Sequence, residues 1–166
     1  MTSDPKAVGR AQLEALFEAG AERGAEALAG LLGWHAEPFA WQPDADEAFH
    51  VGVFFELEGD VSGSMSLIFD RETSTALVDT LAPGLTGPAA ESMLCEVANI
   101  VVSQVVSAVA DVMGGRVTLS VPKPEGPVEV ADRMAARDFM AMRLLTPGHP
   151  SGLLIGFEPA APDARF

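Results

Sequence analysis

The sequence predicts an α+β domain of two layers, in which long helices pack on one face of a mainly antiparallel sheet. Two observations predict it. Two long Ala-rich segments have helical spacing of apolar residues and end at Gly33 and at Gly114. Alternating apolar segments joined by short turns follow each of them, and consecutive strands of this kind pair antiparallel. A chain of 166 residues with 48% hydrophobic content suits one domain over 1–166, with its core at about 10–158.

The first long helix is predicted over about residues 5–32. Ser3-Asp4-Pro5 is typical of a helix start, because it combines a capping side chain with a proline in the first turn. Gly33 is typical of a helix stop. Gly20 and Gly24 lie inside the helix, where each costs up to about 1 kcal/mol against Ala. Close packing against another element is the expected reason for both, and the similar plan of the two long helices indicates an internal duplication.

The strands follow from alternation of apolar residues. A hairpin is predicted over 49–70, with a turn at Glu58-Gly59-Asp60 and one face made by Val51, Val53, Phe55, Leu57, Met65, Leu67 and Phe69. A short edge strand is expected within 34–50, a short helix over 71–82 and a strand over 116–122. The segment 123–137 is predicted to be a loop with one short strand. Two final strands are predicted over 138–147 and 151–159, followed by a frayed tail at 161–166.

The second long helix, predicted from Pro88 to Gly114, carries a polar stripe. Ser92, Glu96, Asn99 and Ser103 are spaced by four, three and four residues, so they share one helix face. The opposite side is predicted to be buried, and it consists of Leu94, Val97, Val101, Val105, Ala108 and Val112, with Met93 and Ile100 beside them. From spacing alone, the stripe fits the solvated side of a core helix. Asn is less favourable than Ala or Glu inside a helix, which indicates a functional role for Asn99.

Composition excludes several classes of function. The formal net charge is −14 and the pI about 4.4, so the surface repels nucleic acid and anionic membranes. Cys95 is the single cysteine, so no intrachain disulfide forms. No signal peptide and no membrane-spanning run are predicted, and a cytoplasmic protein is expected. The three histidines have no metal-ligand spacing, so no metal site is expected.

Ser92-x3-Glu96-x2-Asn99, followed after 22 residues by Pro122, resembles the signature of the CheC/CheX/FliY family. The flanking segments 59–83 and 114–122 resemble the family's paired strands with a short helix and its following strand, so the resemblance covers about 10–158. Glu18-x-x-Ala21 stands where two-site members carry a second Glu-x-x-Asn. Because no carboxamide is available there, the resemblance is closest to single-site, CheX-like members with a pseudo-duplicated fold.

The resemblance implies a chemotaxis phosphatase that hydrolyses the aspartyl phosphate of a CheY-type response regulator. Asn99 would orient the attacking water and Glu96 would pair with a regulator lysine, while Ser92 and Ser103 would contact the partner. The Mg²⁺ would belong to the regulator, so no cofactor of its own is expected. A homodimer is also implied. The alternative is a non-catalytic module that docks on a regulator or a flagellar switch component.

Overall fold

The computed structural model describes residues 9–160, so the predicted helix start at Ser3-Asp4-Pro5 and the predicted tail at 161–166 lie outside it. Within this range the chain forms four helices and seven strands. In chain order they are α1 (Arg10–Leu32), β1 (Glu37–Ala40), β2 (Val51–Gly59), β3 (Gly63–Phe69), α2 (Arg71–Leu81), α3 (Gly87–Met113), β4 (Val117–Leu119), β5 (Lys123–Glu125), α4 (Pro127–Met134), β6 (Met140–Leu145) and β7 (Leu153–Pro159).

All seven strands belong to one antiparallel sheet, in the order β1-β6-β7-β3-β2-β4, with β5 also paired to β2. The register across the centre places Val53 opposite Leu67, Leu67 opposite Ile155 and Ile155 opposite Met142. The order has two matching halves that meet between β3 and β7. The β2–β3 hairpin follows α1 in the chain and pairs on its outer side with β4, which follows α3. The β6–β7 hairpin comes after α3 and pairs on its outer side with β1, which follows α1. This arrangement agrees with the predicted duplication.

The main core lies between the sheet and the two long helices. Its sheet side includes the predicted hairpin face, with Val53 and Leu67 at 0% exposure and Phe55 at 1%. Its helix side combines buried residues of α1 and α3, such as Leu28 and Val101, both at 0%. Burying apolar surface against these faces is the main stabilising contribution. The predicted α+β class, with long helices on one face of an antiparallel sheet, is confirmed.

The prediction that 123–137 is a loop was wrong beyond its short strand, β5. Pro127–Met134 forms helix α4 on the sheet face opposite the long helices. There Val130 packs with Phe54, Ile68 and Leu154. An eight-residue helix is marginal alone, so this packing is what stabilises it. Arg133 of the same helix lies over the Phe54 ring, 4.4 Å from its centroid.

The long helices end where the glycines predict. Gly33 and Gly114 adopt left-handed φ angles of 73° and 65°, and their N–H groups donate to the carbonyls of Ala29 and Ala110. At the other end of α1, Gln12 accepts a hydrogen bond from the Gly9 N–H at 3.1 Å. The C-terminal ends of both long helices are therefore set by left-handed glycines, as the sequence predicted.

The expectation that no segment is apolar enough for a membrane span was wrong for α3. Gly87–Met113 has a mean hydropathy of 1.7 over 18 residues and satisfies the length and composition of a span. This is a weak indication, because the core helix of a soluble protein satisfies it too. In this fold 44% of that window is buried inside the protein, against the sheet and α1.

Candidate functional site

The polar stripe of α3 lies on the outside of the molecule. Ser92, Glu96 and Asn99 are exposed, and Ser103 is half-buried. The opposite side of the same helix is buried, with Val97 at 1% exposure and residues further along at 0%. The structure therefore brings the four predicted site residues to one accessible helix face.

Glu96 and Asn99 are three residues apart on an unbroken helix, which places their Cβ atoms about 5–6 Å apart. Within residues 9–160, neither side chain has a hydrogen-bond or ion-pair partner. A carboxylate and a carboxamide are thus presented side by side with their hydrogen-bonding capacity unused. Such a pair is free to engage another molecule.

Helix α1 packs against the buried face of α3, away from the polar stripe. Gly20 and Gly24 of α1 face α3, and a Cβ added at either would lie 2.8 Å or 2.7 Å from a methyl carbon of Val105. Real Cβ atoms do not approach this closely, so the two glycines are what permits the two helices to pack at this separation. The predicted reason for these glycines is confirmed. The buried face of α3 is thereby held, and its polar stripe is directed outward.

Two apolar residues of α3 lie differently from the prediction. Val112 was predicted to be buried but is 68% exposed, because burial fades over the last turn of the helix. Ile100 was grouped with the buried side but is 43% exposed. Ile100 follows Asn99 directly and lies one turn after Glu96, so an apolar side chain borders the polar pair. The spacing of four from Glu96 was the signal that could have found it.

The first helix offers no equivalent site. Glu18 is exposed, but Ala21 is at 0% exposure against the core. Position 21 therefore lacks both the carboxamide and the access that a second Glu-x-x-Asn would need. Among residues 9–160, no three or more His, Cys, Asp or Glu side chains lie close enough to hold a metal ion.

Cys95 is half-buried next to the stripe. Burial, and secondarily the nearby carboxylate of Glu91, raise the pKa of its thiol above the ordinary value. The thiolate is the nucleophilic form of cysteine, so this environment disfavours a nucleophilic role. The position fits the predicted role of a small packing residue.

The helix layer around the site is acidic. The three helices α1, α2 and α3 contain nine acidic and three basic residues. Of the basic residues, Arg10 is paired with Glu14 and with Asp138. A positively charged surface would be attracted to this layer, and a phosphate backbone would be repelled.

Comparison with known proteins gives similarity at the level of structure. No protein-family model matches the chain, and no curated protein matches its sequence significantly. FliY from Thermotoga maritima has a TM-score of 0.71 and 13% identity, covering 96% of this chain and 93% of that one. CheX from Borrelia burgdorferi, solved as a CheX-CheY-BeF3-Mg²⁺ complex, has a TM-score of 0.66 and 15% identity, covering 90% and 97%. The chemotaxis protein CheX from Desulfovibrio desulfuricans has a TM-score of 0.65 and 14% identity, covering 87% and 99%.

Identities of this size show a shared fold. The overlap spans nearly the whole of each solved structure and most of this chain. It agrees with the observed sheet order, the two long helices on one face and the matching halves. The chain therefore has the fold of the CheX, CheC-like and FliY chemotaxis proteins, as the resemblance of its α3 motif predicted.

Proposed function

We propose that this protein is a phosphatase of an aspartyl-phosphorylated, CheY-type response regulator. The observation that carries the proposal is the pair formed by Glu96 and Asn99. Both side chains project from one face of a rigid helix, both are exposed, and both lack partners within residues 9–160. Support for the partner comes from the CheX-CheY complex, whose CheX shares this fold.

Asn99 acts on the attacking water. Its carboxamide donates through nitrogen and accepts through oxygen, so it can hold a water and a phosphoryl oxygen together. It orients the water in line with the bond that breaks, as positioning glutamines do in GTPases. The water oxygen bonds to phosphorus, the bond from phosphorus to the aspartate oxygen breaks, and inorganic phosphate and the free carboxylate result. Mg²⁺ and the phosphoryl group are both held by the regulator.

Glu96 aligns the two proteins. Its carboxylate pairs with a lysine beside the regulator's phosphorylation site, which fixes the rotation of α3 in the reactive pocket. Because Glu96 lies one helical turn from Asn99, both groups enter one small site. Ser92 and Ser103, one turn before and one turn after the pair, contact the rim of the regulator. Added salt screens the attraction between Glu96 and this lysine, so we expect weaker binding at higher ionic strength.

The decisive experiment measures phosphate release from a phosphorylated regulator with Mg²⁺, with and without the protein. We expect acceleration by the wild type, and its loss in Asn99→Ala. The matched control is Gln42→Ala, which removes another exposed carboxamide, in the connection between β1 and β2 and outside the helix layer. Circular dichroism establishes that both variants keep the fold. Equal acceleration by Asn99→Ala and the wild type would contradict the proposed role of Asn99.

The same assay separates the alternative, a non-catalytic docking module. A module of that kind binds the phosphorylated regulator but leaves its rate of phosphate loss unchanged. Glu96→Gln would then weaken binding without a catalytic effect. A double-mutant cycle between Glu96 and the regulator lysine tests the ion pair, since strictly additive losses would mean that the two groups do not interact.

Two further features of the proposal concern the state of the protein. We propose a cytoplasmic location, in keeping with the absence of a possible intrachain disulfide and with a partner that acts in two-component signalling. We also propose a homodimer, because β1 is an edge strand of the sheet and an open edge can pair with a second copy. Sedimentation velocity at several concentrations tests it.

A further inference from the structure

A groove runs between the two long helices, beside the Glu96–Asn99 pair. Its volume is about 490 Å³, and its lining includes the charged residues Arg23 and Glu26 together with Ala27, Leu31, Ile100 and Gln104. Ile100 belongs both to the groove and to the surface next to Asn99. The groove is therefore continuous with the candidate site, and we refer to it as the α1–α3 groove.

The α1–α3 groove contains an apolar patch within a lining that is otherwise polar. Ile100 is 43% exposed, and Ala27 and Leu31 are half-buried. Gly30 widens the groove, since no atom lies within 4 Å of the position that its Cβ would occupy. Covering such a surface with an apolar side chain is favourable by about 25 cal/mol for each Å² removed from water.

The wall of the groove carries an available cation. Arg23 is exposed and has no ion-pair partner within residues 9–160. The other charged residue of α1 at the groove is Glu26, and the rest of the helix layer is strongly acidic. The acidic helix layer attracts a basic partner surface, and Arg23 attracts one carboxylate within that surface. A complementary partner therefore places a single carboxylate opposite Arg23.

A protein interface of ordinary size, centred on Glu96 and Asn99, is wide enough to reach the α1–α3 groove. A stable interface buries about 800 Å² on each partner, a patch of roughly 16 Å radius. The axes of packed helices are about 8–10 Å apart. A protein centred on Glu96 and Asn99 thus extends over α1 on the side of Ile100, and the groove falls inside its footprint.

We propose that the α1–α3 groove is a specificity site for the same response regulator. An apolar side chain of the regulator packs on Ile100 and Leu31, and a neighbouring carboxylate pairs with Arg23. The groove selects the regulator that carries this combination, while Asn99 and Glu96 act on the phosphoryl site. This inference rests on the proposed function.

The test measures binding and turnover separately. The dissociation constant is measured with the regulator held in its phosphorylated form by beryllofluoride and Mg²⁺, and kcat and KM are measured with the phosphorylated regulator. Ile100→Ala and Arg23→Glu should each raise Kd and KM about five- to tenfold, with the loss falling on KM rather than kcat. Arg23→Glu should also change the salt dependence of binding.

Two control variants match these changes. Val112→Ala shortens another exposed apolar residue of α3, which is 68% exposed and lies three turns further along. Arg137→Glu reverses an exposed charge outside the helix layer, in the connection after α4. Both should bind the regulator with the wild-type Kd, and circular dichroism shows whether each variant folds.

The outcomes distinguish the two proposals. Wild-type Kd and KM in both Ile100→Ala and Arg23→Glu, together with lost phosphate release in Asn99→Ala, would overturn the groove and leave the phosphatase. The wild type could instead bind the phosphorylated regulator without accelerating phosphate release, while Ile100→Ala and Arg23→Glu bind it more weakly. That result would support the groove as a specificity site and would replace the phosphatase with a docking module. Failure of the wild type to bind any phosphorylated regulator would overturn both.

Discussion

Gly24→Ala probes the packing that sets the position of the candidate site. Gly24 lies on the face of α1 that packs on α3, and an added Cβ would lie 2.7 Å from Val105 Cγ2 and 3.1 Å from Ile155 Cδ1. Both neighbours are at 0% exposure. Val is stiff about χ1, so its methyl group cannot swing aside without a change of rotamer. The helices must therefore separate or the core must rearrange.

The magnitude follows from two opposing contributions. Ala is favoured over Gly in a helix interior by about 1 kcal/mol. Overpacking a dense core costs about 1–3 kcal/mol. Gly30 gives the matched control, because it belongs to the same helix and no atom lies within 4 Å of its Cβ position. Gly30→Ala should stabilise the protein, and Gly24→Ala should be about 1–3 kcal/mol less stable than Gly30→Ala.

Urea unfolding followed by circular dichroism gives the free energy of unfolding of each variant. A double-mutant cycle then locates the clash. In a Val105→Ala background the added methyl of Gly24→Ala has room, so its cost should fall by at least about 0.5 kcal/mol. Equal stabilisation by Gly24→Ala and Gly30→Ala would refute the close approach of the two helices.

The remaining predictions concern one ion pair and one thiol. Glu125→Gln should lower the free energy of unfolding by about 1–3 kcal/mol in urea titrations, because the 8%-exposed carboxylate of Glu125 accepts two hydrogen bonds from Arg133, at 2.9 and 3.1 Å. Glu14→Gln, in a pair that is 51% exposed, should change it by less than about 0.5 kcal/mol, and equal losses would contradict this difference. Burial and Glu91 raise the pKa of the Cys95 thiol, so the rise of its iodoacetamide alkylation rate should occur at higher pH in the folded chain than in urea. Glu91→Gln should move that rise to lower pH, and coincident pH profiles of the folded and unfolded chain would contradict the assigned environment.

The polar stripe and the long helices were predictable because they depend on local periodicity. A spacing of 3.6 residues places Glu96 and Asn99 on one face whatever the helix packs against. The helix stops at Gly33 and Gly114 were predictable for the same reason, since a left-handed residue ends a helix locally. The alternation in the 49–70 hairpin likewise predicted which residues face the long helices, although the opposite face, with Phe54 and Ile68, is buried as well.

Helix α4 was not predicted, although part of its signal was present. Gly126-Pro127 resembles the start of α3, and Val130 and Met134 are spaced by one turn. Two turns are too short to be stable alone, so their formation depends on the sheet face that they cover. Which sheet face needs a cover depends on the strand order, and no local pattern in the sequence specifies that order.

Ile100 shows the other limit of the sequence. Its helical position lies at the border between the polar and apolar sides, and such a residue is buried or exposed according to where the neighbouring helix sits. The close approach of α1 at Gly20 and Gly24 leaves Ile100 at the edge of the groove, 43% exposed.

The sequence by itself determined the two long helices, the direction of their polar and apolar faces, the hairpin alternation and the residues of the candidate site, since each depends on neighbours within about two helical turns. Only the tertiary structure decided the order of the strands, the existence of α4, the burial of Ala21 and the groove between α1 and α3. These depend on contacts between residues far apart in the chain, whose partners no local pattern specifies.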